Sequence, residues 1–188
     1  IECETGHAKS CRDLYMKALE LSGNKESVKI RLADWMNMWG DFYGAETCYR
    51  EYLASHTANL SVSLKLASTL ASSQRYEESE GIYMRLIFNG QAKAAPLTGL
   101  ARVKLLEKDY AGSIKYAKDA LAAEPGNNDA ARIAAQSLVM TGNFSEAREI
   151  YQKITMKVPE SAKAMVDIGL TYLKENDINS ARRYFEKA

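Results

Sequence analysis

The chain is 188 residues long, 46% hydrophobic and 26% charged, the balance of an ordinary globular protein, which excludes gross disorder. Its 25 Lys and Arg nearly match 24 Asp and Glu, for a net charge of +1, so the basic excess of a nucleic-acid binder is missing. No run approaches the ~18 apolar residues of a membrane span, and no basic start followed by an apolar stretch marks a targeting segment. The opening Ile1-Glu2-Cys3 reads as the start of a piece cut from something longer.

Apolar residues at helical spacing set the expected elements. A turn at Gly6-His7 precedes a helix over about 8–21, and helix pairs then start near 26, 60, 94, 128 and 162, eleven segments in all. In the pair at 128–158, Ile133, Ala134, Leu138 and Val139, then Phe144, Ala147, Ile150, Tyr151 and Ile154, follow i, i+3, i+4, i+7 spacing. Gly142-Asn143 between them tolerates left-handed backbone and ends the first helix. The matching positions are Gly40-Asp41, Gln74-Arg75, Lys108-Asp109 and Asn176-Asp177, of which Gln74-Arg75 is the poorest turn former. Pro125 and Pro159 stop second helices, Asn127 or Ser161 stands ready to cap the next, and Pro96 falls in a first turn where its missing N–H does no harm. No segment alternates with period two, so no strand is expected.

These pairs are copies of one unit. Pro125 and Pro159 stand 34 residues apart, and stepping by that interval without a gap aligns Cys11, Ala45, Ser79, Ser113, Ala147 and Ala181, all small. Four residues on come Tyr15, Tyr49, Tyr83, Ala117, Tyr151 and Phe185; a third column is Ala33, Ala67, Ala101, Ala135 and Gly169. A fourth holds Ala8, Phe42, Tyr76, Tyr110, Phe144 and Ile178. Small columns let paired helices approach while the aromatic column fills the space beside them, and successive pairs must stack to bury what one pair cannot.

The pattern resembles the tetratricopeptide repeat (TPR) family, whose marks are the 34-residue period, small residues at the eighth and twentieth places, an aromatic at the twenty-fourth and Pro at the thirty-second. The resemblance implies an all-α fold, a right-handed α-solenoid of antiparallel helix pairs. On it, 1–188 is a single solenoid fragment with a partial repeat at 1–25, full repeats at 26–59, 60–93, 94–127 and 128–161, and a partial one at 162–188. The family's Trp at place four is missing: Lys29, Ser63, Leu97, Ala131 and Met165 stand there. Lys104 and Ala117 also depart from the pattern, and with Tyr116 shifted by one place they predict looser packing or a tilt in the unit at 94–127. The 34-residue period and the neutral charge speak against the RNA-binding pentatricopeptide relatives.

Little in the chain suggests chemistry. Cys3, Cys11 and Cys48 form no C-x-x-C pair, and Cys11 and Cys48 read as core thiols. Cys3, His7 and Cys11 would align as metal ligands only on one continuous helix, which the Gly6-His7 turn interrupts. His7 and His56 have no nucleophile in a recognisable motif. No catalytic residue, metal or cofactor is therefore expected. In the aromatic stretch 35–52, Met36, Phe42, Tyr49 and Tyr52 are expected between helices and Trp35 against the preceding helix (Tyr15, Leu19), with Trp39 left outside.

The resemblance implies a binding surface in the concave groove lined by first helices. Carried onto this sequence, its candidate residues are Ile30, Asp34 and Asn37; Leu64 and Ser68; Thr98 and Arg102; Arg132 and Gln136; Val166 and Leu170. The stripe turns more apolar toward Val139, Val166, Leu170 and Leu173. No frame of three units supplies the Lys, Asn and Arg set with which one subfamily grips the carboxylate of chaperone tails. The expected role is a non-catalytic scaffold holding a protein or peptide segment, without nucleic acid or membrane insertion. Similar bacterial arrays belong to secretion, pilus and polysaccharide-export assemblies, leaving cytoplasm and periplasm both open. The alternatives are a spacer or oligomerisation section of a longer solenoid, self-associating through exposed ends, or the regulatory region of an enzyme whose catalytic domain lies elsewhere.

Overall fold

A computed structural model of the chain describes residues 17, 21, 25–90, 93–157 and 162–188. Among the described residues there are ten helices and no strand: α1 (Lys25–Met38), α2 (Phe42–Ser55), α3 (Leu60–Ser72), α4 (Tyr76–Phe88), α5 (Ala94–Leu106), α6 (Tyr110–Ala123), α7 (Asn128–Met140), α8 (Phe144–Lys157), α9 (Ala162–Lys174) and α10 (Ile178–Phe185). First helices begin within one residue of the expected starts, and second helices begin on the column Phe42, Tyr76, Tyr110, Phe144, Ile178. The helix expected at 8–21, with Cys3, His7, Cys11 and Tyr15, lies outside the described residues apart from Lys17 and Leu21.

The same turn joins each pair among the described residues. Gly40, Gln74, Lys108, Gly142 and Asn176 have φ of 83°, 64°, 65°, 80° and 65°, all left-handed. The next residue's N–H reaches back five residues: Asp41 to the Met36 carbonyl at 2.9 Å, Arg75 to Leu70 at 2.9 Å, Asp109 to Lys104 at 2.9 Å, Asn143 to Leu138 at 2.8 Å, Asp177 to Tyr172 at 3.0 Å. This closure satisfies carbonyls that a helix end leaves bare. Gln74-Arg75 obeys it despite its composition. Asp41, Asp109 and Asp177 then cap the second helices by accepting from the N–H of Gly44, Gly112 and Ser180. Asn59 and Asn127 cap α3 and α7; Ser161 lies outside the described residues.

The chain forms two compact units, Ile1–Arg85 and Leu86–Ala188, with the boundary inside α4. In the first, Leu32, Ala33 and Met36 of α1 pack with Ala45 and Tyr49 of α2 and with Val62, Leu66 and Leu70 of α3. Cys48 packs half-buried against this core. Ala33, Ala45 and Ala67 have no exposed surface, as close helix approach requires. Ser79 fits the same column because its hydroxyl donates to the Ala67 carbonyl at 2.7 Å. Trp35, Met36 and Tyr49 are buried, Phe42 and Tyr52 half-buried, and Trp39 is exposed.

In the second unit α5 to α10 pack in succession along the same columns. Ser113 donates to the Ala101 carbonyl at 2.8 Å and lies 2.7 Å from the Ser137 hydroxyl. The looser packing expected around Ala117 is absent: Leu100, Ala101, Val103, Ser113, Ala117 and Ala120 are wholly buried. Alanine at the aromatic place is itself wholly buried, and Tyr116 covers the flank against Ala101, Ile133 and Ala134. The last first helix, α9, has no side chain at Gly169, and the Phe185 ring of α10 occupies the space its Cβ would need.

Candidate partner-binding site

First helices carry the candidate residues, and the structure divides them sharply. In the first unit Asp34 is already engaged. Its Oδ1 accepts from the Tyr49 hydroxyl at 2.6 Å, and its Oδ2 meets the Lys65 ammonium at 2.5 Å, so one carboxylate joins α1, α2 and α3. Burial, then this carboxylate, pushes the Tyr49 hydroxyl far above the usual tyrosine range. Ile30 is half-buried against the core, and Leu64 and Asn37 are half-buried as well. Only Ser68 is exposed among these five.

In the second unit α7 lies beside α5, and α9 is reached from α7 through Arg132. Thr98 is tied in, donating to the Ala94 carbonyl at 2.8 Å and accepting from the Asn127 amide at 3.3 Å. The Arg132 Nε stands 4.0 Å from Asp167 Oδ2, and both atoms are buried without a hydrogen-bond partner. Burial raises the Asp167 carboxyl, against the opposing pull of Arg132 and Lys163. Arg102 is exposed and forms no ion pair with a described residue. Gln136 is half-buried; Val166 and Leu170 are exposed.

Large apolar side chains on the same stripe also face solvent. Leu106 is 46% exposed, Met140 58%, Leu170 46% and Leu173 48%. Leaving such groups in water costs about 25 cal/mol per Å² that a partner could recover. The stripe was legible as positions; that Asp34 would be taken up by Tyr49 was not, although opposite charges on adjacent first helices, Asp34 and Lys65, were the available signal. A separate apolar cleft of ≈ 350 Å³ lies between α9 and α10, lined by Leu173, Ile178, Ala181 and Phe185.

Among the described residues no group of three His, Cys, Asp or Glu could hold a metal ion. No helix among them is long and apolar enough to cross a membrane.

The left-handed elbows, the buried small columns and the paired helices define an all-α repeat protein. The tetratricopeptide repeat family matches residues 104–166 and again 162–188, and these matches with the fold support a tetratricopeptide repeat protein. No curated protein matches its sequence. Among solved structures, the MamA protein is 22% identical over 88% of this chain and 91% of its own, with a TM-score of 0.66. YrrB, described as a TPR protein with an unusual peptide-binding site, is 17% identical over 92% and 89%, at 0.60. A tetratricopeptide repeat protein from Parabacteroides merdae is 16% identical over 98% and 73%, at 0.74. At such identities the likeness is one of fold. That fold indicates a protein-interaction scaffold, and tetratricopeptide repeats are in general non-catalytic.

Proposed function

We propose that the chain is a non-catalytic scaffold whose second unit holds a protein segment along the stripe of α5, α7 and α9. The observation that carries this reading is the row of exposed aliphatic side chains, Leu106, Met140, Leu170 and Leu173, beside the uncommitted guanidinium of Arg102. Aliphatic anchors with a cationic donor suit an extended or helical segment carrying apolar residues and an acidic one. The near-neutral charge favours a polypeptide over a nucleic acid. A place in a bacterial secretion, pilus or polysaccharide-export assembly belongs to the same proposal, supported by the resemblance of the repeats alone.

Arg102→Glu with Leu170→Asp tests it, because neither side chain is buried in a core. Partners captured by the unaltered chain should be lost while the helical circular-dichroism signal and melting temperature stay unchanged. Capture at full affinity by the folded double variant would move the binding surface elsewhere. A second reading, self-association, is favoured by the α9–α10 cleft. Sedimentation showing a monomer at high concentration would reject it.

A further inference from the structure

Ala131 occupies the place in α7 where the equivalent helices α5 and α9 carry Leu97 and Met165, both half-buried. Its side chain stops at Cβ, and the structure holds a cleft of ≈ 430 Å³ there, between α7, the end of α6 and the second half of α8. Ile154 and Ile150 of α8 and Leu121 of α6 line it. Ile154 is 4% exposed, so the cleft reaches the core. Its volume is well above the ~150 Å³ in which an apolar cavity holds a benzene ring. Asn128 and Lys153 stand exposed at the mouth, and among the described lining residues Lys153 is the charged one. Ala131 precedes Arg132 by one residue, about 100° around the helix, so the cleft looks toward α8 and not along the stripe.

We propose that this cleft is a second recognition site, which takes one large apolar side chain of a protein segment and sets an adjacent carboxylate of that segment on Lys153. The two sister positions carry the longer side chains Leu97 and Met165, both half-buried; at Ala131 the filling group comes from outside. The apolar walls set the class of side chain, since burying it recovers its transfer free energy. The Lys153 ammonium selects an acidic neighbour over a basic one. The asparagine amide of residue 128 can serve the segment's main chain.

The test uses the whole chain, labelled with nitrogen-15, and the capped peptide acetyl-Ser-Trp-Asp-amide, followed by amide chemical shifts. Saturable shifts centred on Ala131, Ile150 and Ile154 are expected. Replacing the peptide's Trp by Ala should remove them, and replacing its Asp by Asn should weaken binding about two- to fivefold, the scale of one exposed charge contact. Lys153→Gln should weaken the Asp peptide by the same factor and leave the Asn peptide unchanged. Ala131→Trp should fill the cleft and abolish binding; Ala131→Leu, a smaller addition checked for fold by circular dichroism, should weaken it. No saturable shifts with the Trp peptide, or unchanged binding to folded Ala131→Leu and Ala131→Trp, would overturn the proposal. Tighter saturation of the same amides by free indole-3-acetate, undisplaced by the peptide, would also overturn it, assigning the cleft to a small acid.

Discussion

The Tyr49 hydroxyl donates to Asp34 at 2.6 Å, at the point where α1, α2 and α3 meet. Tyr49 is 1% exposed, so its hydroxyl relies on that acceptor. Asp34→Ala should therefore destabilise the first unit by about 1–3 kcal/mol, the cost of a buried polar group without a partner. Lys65→Ala removes only the half-exposed ion pair and should cost at most about 1 kcal/mol. Urea titration of both variants distinguishes them; equal losses would mean the ion pair, and not the hydroxyl bond, dominates.

Alkali should unfold the chain through two tyrosines. Burial raises Tyr49 and Tyr151 far above the ordinary tyrosine value, helped by Asp34 and Asp167 respectively. The unfolded chain loses these protons near pH 10, while the folded chain keeps them. Their contribution is thus complete below pH 10 and declines above it, by about 1.4 kcal/mol per pH unit for each. Tyr49→Phe and Tyr151→Phe should flatten the fall of stability between neutral pH and strong alkali. An unchanged slope in the double variant would show that the hydroxyls ionise in the folded state.

Asp167 should give an acid-side signature of the same sign. Its carboxyl is raised by burial, with Arg132 and Lys163 opposing, so the folded chain takes up a proton before the unfolded one does. The resulting stabilisation is fully present below the ordinary aspartate value and is lost as pH rises through the raised one. The unaltered chain should accordingly gain on Asp167→Asn as pH falls from neutral toward 4. If it loses ground instead, the Arg132 attraction outweighs burial.

Three elbows carry a non-glycine residue, and of these Asn176 is of the type that tolerates left-handed backbone while Gln74 and Lys108 are not. Gln74 and Lys108 sit at φ of 64° and 65°, where a side chain costs about 1 kcal/mol or more and glycine costs nothing. Gln74→Gly and Lys108→Gly should each stabilise by about 0.5–1 kcal/mol after the added freedom of the unfolded chain is subtracted. Denaturant midpoints that fall would mean that the present side chains make contacts worth more than the strain.

The periodic part of this molecule was readable because each column repeats one physical demand. Ala33, Ala67, Ala101 and Ala135 must be small for helices to touch, and Phe42 through Ile178 mark where second helices begin. Tightness around Ala117 was not readable, because one departure from a column does not say whether neighbours will close the gap; here Ala117 is wholly buried and Tyr116 covers the side. Nor does a column show what a polar stripe residue will bond. Asp34 and Arg132 look alike as groove positions, yet Asp34 is consumed by Tyr49 and Lys65, while Arg132 faces Asp167 at 4.0 Å.

The five left-handed elbows impose a rule on how such a chain can change length. Each fixes the rotation of the second helix relative to the first through a bond spanning five residues. One residue added inside an elbow would turn everything after it by about 100° and swing Ala45 or its counterpart out of the seam, exposing core and burying charge. Growth and loss can be absorbed without penalty only as complete helix pairs. Length in this protein is therefore quantised: a longer or shorter version is a matter of adding or removing whole modules, each arriving with its own elbow already correct.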